Sequence, residues 1–175
     1  MNDSFGSVAD CAGTLDGGRT MSKVKVVEPI EGLAFLSLQT EDKNMIDIPL
    51  SYKQDITGPF IQEFKEYLSG KKGDRHLVLS VDGEEGKFIV IANDDLSYVI
   101  DERTKKLYVC TADAKDIIRG CIRNFVAYMD AWANFDIEEN GGANQINYMR
   151  DFLDRKALIE SAEDEINPYL MGPKI

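Results

Sequence analysis

The sequence predicts an α+β domain in which an antiparallel β-meander packs against flanking helices. Three observations carry that expectation. Four short apolar runs, RHLVLSV, KFIVIA, LSYVID and KLYVC, follow one another between Arg75 and Cys110. Their connections, DGEEG, NDD and ERTK, are too short for the crossover that parallel strands need. A long stretch with apolar residues at three- and four-residue steps comes directly afterwards, which is the period of a helix that buries one side.

Taken in order, the chain begins with residues 1–22, MNDSFGSVADCAGTLDGGRTMS. They are poor in apolar residues, rich in Gly, Ser and Asp, and show no period of 2 or 3.6, so a flexible tail is expected. A single domain over 23–175 follows. VKVVE and LAFLSL read as strands separated by Pro29 and Gly32. TGPFIQEFKEYLSG reads as a helix, with Thr57 as its cap and Pro59 in its first turn. Phe60, Ile61, Phe64 and Leu68 share one side of it, and Gly70 stops it. Within the meander, Leu96, Tyr98 and Ile100 alternate with Ser97, Val99 and Asp101, which predicts one buried face and one half-wet face.

The next helix is the clearest element. Asp113 and Asp116 stand at its start, where carboxylates cap free N–H groups and favour the helix dipole. Ile118, Cys121, Ile122, Phe125, Val126, Met129, Trp132 and Ala133 form its apolar stripe, a core signature and no cofactor box. DIEENGGANQ reads as a polar loop. A last helix is expected from about Ile146 to Ile166, ended by Pro168.

Composition narrows the function classes. Twenty Lys+Arg against 31 Asp+Glu leave a net charge of −11, which opposes nucleic-acid and anionic-membrane binding and suits a basic protein partner. No apolar run approaches the roughly 18–20 residues of a membrane span, and the N-terminus lacks the basic-then-apolar order of a secretory signal. A cytoplasmic address is the expectation. Cys11, Cys110 and Cys121 are odd in number and widely spaced, as buried free thiols would be.

Chemistry-bearing patterns are scarce. His76, the one histidine, stands at the head of a strand with no nucleophile motif and no HExxH or paired CxxC. Asp82-Gly83-Glu84-Glu85-Gly86-Lys87 lacks the phosphate-loop spacing and reads as a hairpin turn. Asp94, Asp95, Asp101 and Glu102 lack the EF-hand order. Neither catalytic residues nor a metal or cofactor site are predicted. A spatial carboxylate pair, as in a small hydrolase, is an alternative that sequence alone leaves open. Charge, however, is segregated. Between Asp82 and Glu102 stand seven acids, Asp82, Glu84, Glu85, Asp94, Asp95, Asp101 and Glu102, and one base, Lys87. From Arg103 to Phe135 six bases face three acids. The seven acids are the candidate partner-binding residues, an acidic rim on the meander that would meet a basic protein.

FIVIANDDLSYVIDERTKKLYVC, followed by a helix containing RNFVAYMDAW, resembles the SUKH superfamily. Tyr98–Asp101, Thr104, Leu107–Val109 and Asn124–Trp132 match its strand pair and aromatic-rich helix. Lys105 stands where the family's turn has Gly, and Ile48-Pro49-Leu50-Ser51-Tyr52 corresponds to the Leu-Pro segment of its N-terminal helix. The resemblance implies a meander flanked by helices and a non-enzymatic role. It points to an immunity protein that binds and neutralises a cognate toxin, a basic protein that attacks nucleic acid, or to a regulatory adaptor of the same fold with another partner.

Overall fold

A computed structural model of the chain describes residues 22–51, 54–70, 75–83, 86–135 and 145–171. The expected tail, apart from Ser22, and the expected polar loop after Phe135, apart from Gln145, lie outside the described residues. The fold is α+β, with two antiparallel sheets and the helices packed against them.

The first sheet has the order β1-β2-β3, from β1 (Val24–Ile30), β2 (Leu33–Gln39) and β3 (Met45–Ser51). β1 runs two residues past the expected stop at Glu28. The ladder shifts register between Val27 and Ile30, and this irregularity on an edge strand takes up Pro29. Glu31 (φ 52°) and Gly32 (φ 79°) then make the two-residue turn into β2. β3 departs from the helix that the resemblance implies around Ile48–Pro49. Its Ile48 and Leu50 are buried while Asp47 is exposed, a period of two that fits only a strand. Pro49 is tolerated because β3 is the outer strand of its sheet.

Helix α1 (Thr57–Leu68) buries Phe60, Ile61, Phe64 and Tyr67. Thr57 is not its cap. It is the first helical residue, and its buried hydroxyl has no partner, whereas Asp55 Oδ1 accepts from Gly58 N at 3.4 Å. Gly70, at φ 71°, follows the last turn in the left-handed region, as a helix stop requires.

The meander is as expected: β4 (Leu77–Gly83), β5 (Gly86–Ala92), β6 (Ser97–Asp101) and β7 (Lys106–Cys110) in the order β4-β5-β6-β7. In β6 the buried set is Ser97, Val99 and Asp101, and the more apolar set faces outward. Pairing decides this, because directly opposed residues share a face. Val99 opposes Val90 and Ser97 opposes Ala92, both buried in β5.

The two sheets are joined at two places. Thr111 N donates to Gln39 O at 2.9 Å and Glu41 N to Val109 O at 3.2 Å. At the β4 edge, the Gln54 amide donates to Ser80 O at 3.0 Å and accepts from Asp82 N at 2.7 Å. These are the two contacts that one residue of a parallel neighbour strand would make, and they fill the edge beside β3.

Helix α2 (Ala114–Ala127) opens on a reciprocal cap. Asp116 N donates to Asp113 Oδ1 at 2.8 Å, and Asp113 N to Asp116 Oδ2 at 3.2 Å. The expected single helix breaks at Tyr128 and resumes as α3 (Met129–Ala133). In an unbroken helix Asn124 and Trp132 would be about 12 Å apart along the axis. The break brings the Trp132 indole N–H within 2.8 Å of Asn124 Oδ1, and the Asn124 amide donates to Val26 O at 3.0 Å. Trp132 thereby packs edge-on to both Phe125 and Phe135. Helix α4 (Gln145–Leu170) starts where expected and runs through Pro168, which sits inside its last turn. The missing N–H there costs little because Pro168 and Asp164 are exposed to water. Ile159, Ala162 and Ile166 carry α4 into the one continuous core.

Candidate protein-docking surface

An antiparallel meander turns at alternate ends, so consecutive turns cannot share an edge. The candidate acids divide accordingly. Asp82, opposite Lys87, and Asp101, opposite Phe88, lie at one end with Glu102, whose N–H donates to Lys87 O at 3.0 Å. Asp94 and Asp95 occupy the β5–β6 turn at the other end, about 20 Å away along β5 at ~3.3 Å per residue. Glu84 and Glu85 lie outside the described residues. The five described acids therefore form no single patch.

Their local roles differ as well. Asp101 is only 3% exposed and staples its own turn, accepting from Arg103 N at 3.0 Å and Thr104 N at 3.3 Å, with the Arg103 guanidinium at 3.4 Å. Burial pushes its carboxyl up, but the hydrogen bonds from Thr104 and Arg103 and the Arg103 charge outweigh it and hold the pKa below the usual carboxylate range. Lys105 occupies the same turn at φ 59°, the left-handed conformation that glycine adopts most readily. Gly86 is required nearby: at φ 147°, a Cβ there would stand 2.8 Å from Arg103 Cβ. At the far end the Tyr67 hydroxyl donates to Asp94 Oδ1, and Arg75 stands 3.9 Å from Asp94. Burial, then the Asp94 hydrogen bond and charge, keep Tyr67 protonated well above its ordinary range. Asp95 is exposed, its N–H held by Asn93 Oδ1 at 2.8 Å. Asp82 is exposed and Glu102 half-buried. His76 is exposed at the head of β4. Among the described residues no three His, Cys, Asp or Glu side chains are placed to hold a metal ion.

Between the two ends lies a feature that sequence reasoning missed. The outward side chains of the meander form two cross-strand rows, Val78–Ile91–Tyr98–Val109 and Ser80–Ile89–Ile100–Leu107. Seven of these eight are apolar. Leu107 is 61% exposed, Val78 39% and Tyr98 36%, while Ile89, Ile91, Ile100 and Val109 are half-buried by their neighbours. A sheet face that only meets water is polar at most of these positions. The signal was present in runs such as KFIVIA, which are apolar in both phases. Hydropathy alone does not say which phase meets the core.

No helix of the described residues is long and apolar enough to cross a membrane. Comparison of the chain with protein-family models, with curated proteins and with solved structures finds no match.

Proposed function

We propose that this chain is a non-enzymatic protein-binding module that docks a basic partner on the open face of the β4–β7 sheet. The observation that carries the reading is the pair of apolar rows exposed on that face. Contiguous apolar surface edged by charge is characteristic of protein interaction sites.

Size and charge define the partner. Four strands at ~4.8 Å spacing and five residues at ~3.3 Å make a face of roughly 300 Å². A stable interface covers about 800 Å² on each partner. Contact must therefore extend over the turns at both ends, where Asp82, Glu102, Asp94 and Asp95 stand. A net charge of −11 disfavours a second copy there and favours a basic protein, whose encounter it would accelerate. The SUKH resemblance of Tyr98–Val109 supports the more specific role of an immunity protein that neutralises a basic, nucleic-acid-targeting toxin in the cytoplasm. The buried free thiols Cys110 and Cys121 are compatible with that compartment.

The test begins by isolating the cognate partner from the native cell and purifying it. Binding is then measured for the wild type, Tyr98→Asp and Leu107→Asp. Each variant should weaken binding about 30-fold or more, as loss of a hot spot does. Unchanged affinity in variants that keep the native circular dichroism would overturn the docking face. Catalytic turnover of the partner or its substrate by this chain would overturn the non-enzymatic reading.

A further inference from the structure

A second surface, of opposite charge, is built by other elements. Lys115, Arg119 and Arg123 follow one another at four-residue steps along the solvent side of α2, whose other side carries Ile118, Cys121 and Phe125 into the core. Arg119 is already oriented, with Nη1 3.4 Å from Asp116 Oδ1 and Nη2 3.5 Å from Leu170 O. Lys23 adds a fourth cation, 4.0 Å from Asp116. Arg123 is exposed and makes no ion pair among the described residues.

Two grooves share Arg119 and Arg123 as a common wall. One, of about 340 Å³, lies between α2 and the start of β1. It is shallow because α2 comes so close: a Cβ on Gly120 would meet Val24 Cγ1 at 2.8 Å. The other, of about 310 Å³, lies between α2 and the end of α4, with Ile122, Val126, Ala127, Leu170 and Met171 as its apolar lining.

We infer that this α2 ridge binds an acidic-apolar polypeptide segment of a partner protein, with carboxylates on Arg119 and Arg123 and apolar side chains in the α2–α4 groove. Charge complementarity selects the acids. Guanidinium groups take carboxylates in a bidentate fork, which a lysine cannot do. The apolar lining selects against a plain polyanion, oligoglutamate or nucleic acid alike. Because α2 and α4 carry none of the sheet face, the ridge would let the module hold two partners at once, as an adaptor does.

The probe is a fluorescein-labelled peptide in which glutamates alternate with leucine and phenylalanine, measured by anisotropy. An oligoglutamate and a single-stranded DNA oligonucleotide serve as comparison ligands. The peptide should bind more tightly than either. Arg123→Glu should weaken it about tenfold or more, Arg123→Lys should retain part of the affinity, and Leu107→Asp on the sheet face should leave it unchanged. Should Arg123→Glu not fold, Arg123→Gln is read in the same way. The inference is overturned by absent binding, by equal binding of oligoglutamate or DNA, or by full affinity in a folded Arg123 variant. Since Leu107→Asp reports on the other surface, failure of either idea is visible separately.

Discussion

The two sheets use their side chains differently. In β2 the inward residues Ala34, Leu36 and Leu38 are buried, and so is Ser37 on the opposite phase, whose hydroxyl donates to Asp47 at 2.5 Å. In β4 burial alternates strictly, with Leu77, Leu79 and Val81 inside and Val78, Ser80 and Asp82 outside. The first sheet is held on its β1 side by α2 through Asn124, whereas the outer face of the second meets solvent. The apolar residues of the first sheet therefore account mainly for stability, with Ile30 and Leu33 beside the β1–β2 turn as its exposed exceptions. Those on the outer face of the second are surplus to the core and available to a partner.

The sharpest way to break this contrast is to place one charge on each face of the meander. Val99 is fully buried, and Val99→Asp would bury an unpaired carboxylate beside Val90. Such a change costs several kcal/mol or more, so this variant should be unfolded or insoluble. Leu107→Asp on the outer face should shift stability by no more than about 0.5–1 kcal/mol. Urea denaturation followed by circular dichroism reads both. Comparable loss in the two variants would mean that the outer face is covered.

Next in size is the bond set that ties α2 to the first sheet. Asn124→Ala removes the partners of Val26 O and the Trp132 indole. Leaving a buried group unsatisfied costs about 1–3 kcal/mol, so a loss of about 2–4 kcal/mol is expected, with a change in Trp132 fluorescence. A loss below about 1 kcal/mol would show that the break at Tyr128 does not depend on this residue.

The turn at Asp101 offers a smaller, pH-dependent effect. Its folded pKa is lowered relative to an unfolded value of about 3.9. Its contribution is therefore present above the unfolded pKa and is lost as pH falls through the folded one. Denaturation midpoints measured over a pH series should fall less steeply in acid for Asp101→Asn than for the wild type. Parallel acid limbs would contradict the staple. The smallest effect belongs to Lys105, held at φ 59°. Lys105→Gly should relieve left-handed strain and stabilise by up to about 1 kcal/mol, partly offset by the freer unfolded chain. A destabilised variant would indicate that the lysine side chain makes a contact worth more than the strain.

Local chemistry made much of the fold legible without coordinates. The meander followed from short connections that permit only antiparallel pairing, and the cap of α2 from Asp113 and Asp116 spaced for a reciprocal bond. The stop at Gly70 was also readable, because it depends on backbone groups within one turn of the residue that satisfies them. Where local cues competed, tertiary structure decided. β3 is a strand because Ile48 and Leu50 find β2. β1 continues past Pro29 because an edge strand can carry a bulge. The helix breaks at Tyr128 because Asn124 joins Trp132 to Val26. The same holds for the candidate site. The five described acids, close in sequence, fall at two ends of a sheet, since a meander reverses at every turn, and Asp101 turns inward with its strand. Which apolar row of β6 meets water was set by the register with β5, a pairing that runs from Ala92 with Ser97 out to Phe88 with Asp101 and that the alternation along β6 alone does not encode.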